Sequence, residues 1–293
     1  REYNVWPMLE FSWAIDDHKL DMTHILRGKD LVMEDKMERF MWDLLDWEEP
    51  EILHNGLLNI EGIKISTSTS KRKIDEGEYS GWEDPRTWSL MSLRKRGFEP
   101  EAIRNFVLSF GMSENNVTVP VKSLYTENRK IIDEKADRYF FVGEPTELLV
   151  EEVDEGFTAE ADLHPEFPER GHREIEVTPE DGKARILIEK DDFETGKEIR
   201  LKDLFNIEIT EEGVRKIGGG IDYALENELP IIQWLPAEEN RDCTIIMPDG
   251  SEKKGLCENN LEDEGDVIQF IRNGFVRPET ISEDGVRCYF THN

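Results

Sequence analysis

Cysteine is scarce in this sequence, and its scarcity excludes two kinds of site. The 293 residues include three cysteines, Cys243, Cys257 and Cys288, which are widely spaced and form no Cys-x-x-Cys pair. A disulfide framework and a zinc site are therefore not expected. Long apolar segments are missing as well, since there is no run of about 18 apolar residues and no short apolar segment behind a basic start. We therefore expect a cytoplasmic protein that does not bind a membrane.

Basic residues are also few, with 36 lysines and arginines against 66 aspartates and glutamates and a net charge of -30. Proteins that bind nucleic acid normally present a basic surface, so this balance argues at first against such binding. We expect most of the acidic side chains to be solvated. The distribution differs locally, because residues 64–104 carry nine basic and seven acidic side chains. A local basic segment can therefore contact a polyanion.

The first third of the chain has the apolar periodicity of helices. Asp30 follows Gly28 and is a suitable N-cap for a helix. Apolar residues at helical spacing follow it, which predicts that one face of this helix packs into a core: Met37, Phe40, Met41, Leu44 and Leu45.

Two more helices are marked at their ends. Asp84 followed by Pro85 predicts a helix start, Arg94–Arg96 lie where the last turn favours cations, and Gly97 should end the helix. The next helix should begin near Pro100 and end at Gly111. Its apolar face should contain Ile103, Phe106, Val107 and Phe110.

Beyond about residue 115 the sequence changes to short β-rich runs separated by turns. Asp181-Gly182 and Asp249-Gly250 are tight-turn signals, and residues 151–160 and 211–220 are the expected loops. Many short strands with few helices predict barrels or sandwiches. The expected strands are 139–142, 148–153, 184–189, 198–201, 207–210, 231–235, 244–247, 267–271 and 287–290.

The segment "STSTSKRK" (66–73) combines hydroxyls with three adjacent cations. Hydroxyls and backbone N–H groups can line a triphosphate, and a lysine can neutralise charge that develops on departing phosphate oxygens. By itself the segment favours an exposed polar loop over a phosphate site, because basic clusters are common in loops.

Longer matches surround that segment. Residues 5–31, "VWPMLEFSWAIDDHKLDMTHILRGKDL", the run Ser68–Arg72 and "GWEDPRTWSLMSLRKRGFEPEAIRNFVLSFG" resemble the class I glutamyl- and glutaminyl-tRNA synthetases, most closely the archaeal-type glutamyl enzymes. The resemblance runs in order over residues 5–153. It continues more weakly to residue 275 through "ADLHPEFPERGHREIEV", "GKEIRL", "PIIQWLP" and "VIQFIRNGF".

The resemblance implies a multidomain α+β fold. Residues 1–50 would be the end of a Rossmann-like catalytic domain, and residues 51–113 the signature loop with a helical subdomain that contacts tRNA. Residues 114–293 would form two all-β anticodon-binding barrels, one proximal and one distal.

By resemblance, the hydroxyl-rich segment is the family's mobile Lys-Met-Ser-Lys-Ser loop, which holds ATP. Ser70, Lys71 and Arg72 would then act in catalysis, with Lys71 at the second lysine position. Leu58 would lie against the purine of the nucleotide. The other predicted ATP-binding residues are Ser68, Thr69, Ser70 and Lys71. Magnesium would arrive with ATP. Asp16-Asp17-His18 could be read as a metal site, but a polar turn or cap is preferred, since adjacent side chains seldom converge on one ion.

Arg27 is the residue that favours glutamate over glutamine. It ends a predicted strand, where open α/β sheets present ligand groups, and a guanidinium pairs well with a carboxylate. By resemblance, glutamyl enzymes have arginine here and glutaminyl enzymes have a small neutral residue. The same pocket would include Leu9, although many relatives have tyrosine there. The alternative for Arg27 is an ordinary surface arginine.

The tRNA contacts are also assigned by resemblance. The candidates for sequence-blind phosphate contacts are Arg86, Arg94, Lys95, Arg96 and Arg104, with ordinary last-turn cations as the alternative. Arg138, in "EKADRYFFV", would read the central anticodon uridine. Tyr139 and Trp234 could provide aromatic platforms for bases, although core positions are preferred for both.

One expected motif is missing, because no His-x-Gly-His occurs in the chain, which begins at Arg1. We therefore expect that the amino-terminal half of the catalytic domain precedes Arg1 and that this chain alone is inactive. The full protein would be a glutamate–tRNA ligase that uses ATP, glutamate and glutamate tRNA, with charging of glutamine tRNA left open. The alternatives are a glutaminyl-tRNA synthetase and a non-catalytic tRNA-binding scaffold derived from the family.

Overall fold

A computed structural model describes residues 3–262 and 265–293. Its internal contacts divide the chain into two units. The first unit contains the residues up to Lys64 together with Arg104–Leu124. The second contains Ile65–Ile103 and Tyr125–Asn293. The two units are described separately below.

The first unit places two helices beside a pair of parallel strands. The chain forms α1 (Leu9–Lys19), β1 (His24–Gly28), α2 (Val32–Leu44) and β2 (Glu51–Asn55). The indole of Trp42 is buried and donates a hydrogen bond to the carbonyl of Ala14 at 2.9 Å, which joins α2 to α1. β1 pairs in parallel with β2, so that Arg27 lies opposite His54. Farther along, β3 (Leu58–Ile60) pairs in parallel with β4 (Val117–Val119).

Helix α2 buries a different face from the predicted one. Met37, Phe40 and Leu44 are 50%, 68% and 72% exposed, whereas Asp35, Glu38 and Trp42 are buried. The prediction that the apolar stripe of this helix packs into a core is therefore wrong for the described structure. Ion pairs draw the acidic face inward, as described below. The predicted cap is also wrong, because Leu31 is at the N-cap and no side chain caps this end.

The helical part of the second unit begins with α3 (Thr67–Asp75) and continues to α4 (Leu90–Lys95). The predicted helix start at Asp84 exists only as a 3-10 turn over Pro85–Thr87, in which the Asp84 carboxylate accepts the Arg86 N–H at 3.1 Å. Trp88 then adopts the left-handed region at φ 53°, which interrupts the helix. Ser89 caps α4 by accepting the Ser92 N–H at 3.1 Å. One predicted helix is therefore two short elements.

The ends of the next helices match the sequence signals more closely. Gly97 has φ +87°, and a Cβ there would lie 2.5 Å from Val267 Cγ2, so a glycine is needed at this stop. The following helix, α5, covers Pro100–Leu108, and Gly111 beyond it also has positive φ. Helix α6 (Val121–Ile132) precedes the β-rich region.

The rest of the second unit contains two seven-stranded sheets and a separate hairpin. The first sheet has the order β14-β11-β12-β13-β7-β10-β15, and the second β5-β18-β19-β20-β16-β17-β6. The hairpin is β8 (Phe157–Asp162) with β9 (His172–Val177). In chain order the other strands are β5 (Arg138–Tyr139), β6 (Phe141–Gly143), β7 (Pro145–Glu151), β10 (Lys183–Glu189), β11 (Lys197–Leu201), β12 (Asn206–Ile209), β13 (Val214–Ile217), β14 (Ile231–Ile232), β15 (Leu235–Pro236), β16 (Asn240–Ile246), β17 (Glu252–Glu258), β18 (Ile268–Phe270), β19 (Gly274–Ser282) and β20 (Gly285–His292). A short helix, α7 (Gly220–Glu226), separates β13 from β14.

Each large sheet covers its own apolar core. Ile186, Ile207 and Trp234 lie in the first core, and Phe141 and Phe270 lie in the second. This arrangement confirms the predicted α+β fold class, in which helices are followed by two β-rich modules. Trp234 and Tyr139 are buried, so they occupy core positions and cannot serve as exposed platforms for bases.

The turn predictions are confirmed and the loop predictions are wrong in part. Asp181 and Gly182 both have positive φ in the connection between β9 and β10, and Gly250 has φ +83° between β16 and β17. The expected loop 151–160 already contains the start of β8, and the expected loop 211–220 contains β13. The two segments were predicted as loops because they are acidic, but a strand in which every second side chain is solvated can also be acidic.

Candidate active site and tRNA interface

The hydroxyl-rich segment is a capped helix rather than a flexible loop. Ser66 Oγ accepts the Thr69 N–H at 3.4 Å, and α3 begins at Thr67. The first turn of a helix has N–H groups without intrahelical acceptors, and these groups attract anions. Ser68, at the first position of the predicted loop motif, is exposed, and Thr69 is partly buried in this turn. The segment therefore offers hydroxyls and a helix N-terminus to the same ligand.

The three cations of this segment have different surroundings. Lys73 donates to Glu78 at 2.8 Å and lies 4.8 Å from the centre of the Tyr79 ring. Lys71 and Arg72 are exposed, and neither has a carboxylate within 4.0 Å among the described residues. Ser70 is buried and faces away from solvent. Lys71 is therefore the lysine of this segment that remains available to a phosphate.

Leu58 lines an apolar cavity of about 350 Å³ within the first unit. Gly56 closes one side of it, and a Cβ on that residue would lie 2.1 Å from the carbonyl oxygen of Asn115. A flat apolar group of the size of a purine base fits such a lining. The other lining side chains include Leu26, Leu57, Val107, Phe110 and Met112.

Arg27 lies at the end of β1, and its guanidinium is surrounded by acids of the same unit. Both terminal nitrogens donate to Glu38, at 2.8 and 2.9 Å. Asp35 lies 3.2 Å and Asp17 3.9 Å from these nitrogens. The ring of Trp13 lies 5.4 Å away. The Arg27 side chain is only 8% exposed, so it is not an ordinary surface arginine.

The surroundings of this site raise the pKa of a base, Arg27, and of an acid, Asp17. The hydrogen bonds that Arg27 donates to Glu38 raise the pKa of Arg27, so its charge is permanent. Burial raises the pKa of Asp17, although the nearby Arg27 charge works in the other direction. A fixed positive charge at a strand end is the chemistry that binds a carboxylate. Leu9, the other predicted pocket residue, is 64% exposed in the first turn of α1.

Arg96 does not have the role that the sequence suggested. Its side chain is fully buried and donates to the carbonyls of Phe290 and Thr291, both at 2.9 Å. The rings of Trp88 and Phe98 lie 4.6 and 5.1 Å from the guanidinium carbon. This geometry contradicts the prediction that Arg96 contacts a tRNA phosphate, because a phosphate cannot reach it.

The other predicted phosphate contacts separate into paired and free cations. Arg86 donates to both oxygens of Asp84, at 2.8 and 2.7 Å, and Lys95 lies between Glu83 and Glu279. Arg94 is 73% exposed with only a long 3.8 Å contact to Glu83. Arg104 is exposed, with no carboxylate within 4.0 Å in the described part of the chain. Arg94 and Arg104 are the most accessible of the five.

Arg138 lies at the start of β5 with most of its donors free. Its Nη2 donates to Asp133 at 3.0 Å, and its Nε is buried without a partner among residues 3–262 and 265–293. His164 Nε2 is 3.2 Å away, but His164 Nδ1 accepts the Glu166 N–H, so in the neutral ring Nε2 carries the proton and donates to the Asp133 carbonyl at 2.9 Å. His164 therefore cannot satisfy Arg138. Because Nε is buried, a base edge would be read by the terminal nitrogens of Arg138, whose side chain is 15% exposed.

Within the described residues, no group of three or more His, Cys, Asp or Glu side chains is arranged to hold a metal ion. His18, in the Asp16-Asp17-His18 run, stacks on Trp47 with ring centres 3.8 Å apart. The three cysteines are free and buried in the second sheet. No helix in the described ranges is long and apolar enough to cross a membrane.

Comparison with known proteins agrees with this arrangement. Residues 1–134 match the catalytic domain of tRNA synthetases class I (E and Q), and residues 136–225 and 231–279 match two anticodon-binding domains of the same synthetases. The chain belongs to the class I (E and Q) tRNA synthetase family. This membership confirms the resemblance seen in the sequence.

Named relatives of the family are about 40% identical. The glutamate–tRNA ligase of Pyrococcus furiosus is 41% identical over 302 residues, which cover 99% of this chain and 52% of that protein. Those of Methanopyrus kandleri and Methanococcoides burtonii are 40% and 43% identical, covering 99% of this chain and 52% and 51% of those proteins. The chain thus spans about half the length of these synthetases. A crystal structure of a glutamate tRNA ligase from Elizabethkingia meningosepticum covers 44% of this chain and 31% of that one at 18% identity, with a TM-score of 0.32 that supports no conclusion.

Sequence reasoning missed two residues of this synthetase chain that surround predicted site residues. Glu38 and His164 are buried beside Arg27 and Arg138. Glu38 could have been found from its spacing, because Asp35 and Glu38 lie three apart on one face of a helix that follows Arg27. No comparable signal marks His164.

Proposed function

We propose that this chain is part of a glutamate–tRNA ligase, which activates glutamate with ATP and transfers it to glutamate tRNA. The observation that carries the proposal is the exposed Lys71, without an acidic partner in the described structure, one turn into a capped helix. Its ammonium can neutralise the charge that builds on the phosphate oxygens as pyrophosphate leaves. Family membership and the glutamate–tRNA ligases among the relatives support it.

The other residues have separate roles in this proposal. Leu58 packs against the purine, and Ser68, Thr69 and the α3 N-terminus receive phosphate oxygens. Arg27 binds the side-chain carboxylate of glutamate. Ser70 and Arg72 support the helix start and the phosphates. Magnesium is held by the phosphates of ATP and by water rather than by a cage of protein ligands, as is usual for this ion at nucleotide sites.

The β-rich modules and the helices α4 and α5 recognise tRNA in this proposal. Arg138 reads the central anticodon base, while Arg94 and Arg104 contact phosphates. Phosphate contacts give affinity without sequence information, whereas a base contact gives specificity. Charging of glutamine tRNA by the same enzyme is a further option that only charging assays can decide.

Lys71 gives the sharpest test of catalysis. In the complete polypeptide, with the amino-terminal half of the catalytic domain restored, Lys71→Ala should lower kcat for ATP–pyrophosphate exchange by about 100- to 1000-fold, since it removes one transition-state donor. Lys73→Ala is the matched control, because Lys73 is already paired with Glu78. Equal kcat values for the two variants would contradict the proposal. The 293 residues alone should show no exchange.

A non-catalytic tRNA-binding scaffold is the second candidate, and the net charge of -30 together with the absence of a His-x-Gly-His motif in these 293 residues speaks for it. It predicts that the chain alone binds tRNA and that no complementary polypeptide restores exchange. A glutaminyl-tRNA synthetase is the third, and it predicts charging with glutamine in preference to glutamate. Arg27 argues against it, because a fixed guanidinium favours a carboxylate over an amide.

A further inference from the structure

The guanidinium of Arg27 already holds a carboxylate that belongs to the protein. Glu38 Oε1 and Oε2 accept from the two terminal nitrogens of Arg27 in a two-pronged pair, at 2.8 and 2.9 Å. A glutamate ligand would use the same two nitrogens, since this arrangement is the strongest that arginine and a carboxylate can form. The protein side chain and the ligand therefore compete for one position.

Glu38 depends entirely on this pair. Its side chain is fully buried, and Arg27 is its single hydrogen-bond partner within the described part of the chain. The adjacent Asp35 adds negative charge 3.2 Å from Arg27 without forming a hydrogen bond. A buried carboxylate that loses its partner is strongly destabilised. Glu38 must consequently move towards solvent whenever another carboxylate takes Arg27.

We propose that Glu38 occupies the site of the substrate's side-chain carboxylate while glutamate is absent, and that glutamate binds by displacing it. The proposal rests on the proposed role of Arg27 in binding glutamate. Displacement lowers the apparent affinity, because the binding-competent form with a free guanidinium is only a fraction of the enzyme. Glu38 thereby sets the glutamate concentration at which the site fills.

The test uses the complete polypeptide and the isosteric variant Glu38→Gln. A neutral amide holds Arg27 less tightly than a carboxylate, so KM for glutamate should fall by about tenfold, as expected when one charge-assisted pair is weakened. KM for ATP should not change. Asp43→Asn is the matched control, since it removes one exposed negative charge from the same helix. It should leave KM for glutamate unchanged.

A structural role for Glu38 gives a different result. If Glu38 only fixes the position of Arg27, then Glu38→Gln raises KM for glutamate or leaves it unchanged, and either value overturns the inference. Glu38→Asp, which keeps the charge but is too short for both hydrogen bonds, should also lower KM and provides a second variant. Arg27→Met separates the two hypotheses. If Arg27→Met raises KM for glutamate strongly but Glu38→Gln does not lower it, this inference is overturned and the role of Arg27 stands. If Arg27→Met has no effect on KM for glutamate, the role of Arg27 is overturned, and this inference with it.

Discussion

Replacement of Arg96 should weaken the second unit. It follows α4, and its guanidinium donates to two carbonyls of β20, the last strand. The Thr291 hydroxyl also donates to the Arg96 carbonyl. We call these contacts between Arg96 and β20 the joint. Burial lowers the pKa of Arg96, which shows that desolvation offsets part of the gain. The joint connects residues about two hundred positions apart in sequence.

The cost of Arg96→Met follows from the groups left behind. Two hydrogen bonds from a charged donor are lost, each worth about 1.5–3 kcal/mol. The methionine still fills part of the space between Trp88 and Phe98, and a buried charge no longer has to be desolvated. We expect a net loss of about 3 kcal/mol, a large share of the roughly 5–15 kcal/mol that stabilises a typical domain. Urea unfolding followed by tryptophan fluorescence measures it.

Arg94→Met is the matched control for this experiment. Arg94 lies two residues away, is 73% exposed and has only a long contact to Glu83. Exposed substitutions usually change the free energy of unfolding by less than about 0.5 kcal/mol. If Arg96→Met unfolds at the same urea concentration as Arg94→Met, the guanidinium does not hold α4 to β20. The urea midpoint of Arg96→Lys should lie between those of the two methionine variants, since an ammonium cannot donate to both carbonyls in the planar geometry of a guanidinium.

Two further predictions concern pH and tRNA. Burial lowers the pKa of His292 to about 4 from its ordinary 6.5, so the unfolded state takes up a proton first as the pH falls. The stability that this group contributes is complete above pH 6.5 and falls by about 3 kcal/mol as the pH falls towards 4. Urea unfolding at a series of pH values should show this decline, and the decline should be smaller in His292→Gln. Arg104→Gln should weaken binding to every tRNA alike and lower the salt dependence of binding by about one released ion. Arg138→Gln should weaken binding only to tRNA with a central uridine in its anticodon. Equal losses of affinity for all tRNAs in both variants would contradict the role of Arg138.

Local sequence signals predicted the ends and turns of the chain's elements better than they predicted which face of a helix is buried. Gly97, Gly111 and Asp181-Gly182 have the positive φ values that their residue types allow, and these positions end or turn the chain as expected. The burial of α2 could not be derived in the same way. Its periodicity correctly identified a helix, but the choice of buried face depended on Arg27, which lies on another element. Long-range ion pairs leave little trace in a local pattern.

The candidate site was predictable to a similar extent. The sequence named Lys71, Arg27 and Arg138 as candidates, and these stay predictions, but it could not distinguish the buried Arg96 from the exposed Arg94 two positions earlier. Both lie in or directly after the last turn of α4, where a cation is favoured in either case. The difference arises from β20, which returns to this helix from the far end of the chain. That return decided which of the two arginines is accessible.

The cations of this chain differ in whether a carboxylate lies beside them. Acidic side chains outnumber basic ones by 66 to 36, so a cation on the surface will usually acquire an acidic neighbour. Lys73, Arg86 and Lys95 have done so. Lys71 and Arg104 have no such neighbour within the described residues. In the proposed function Lys71 and Arg104 bind phosphates, which any carboxylate beside either cation would repel.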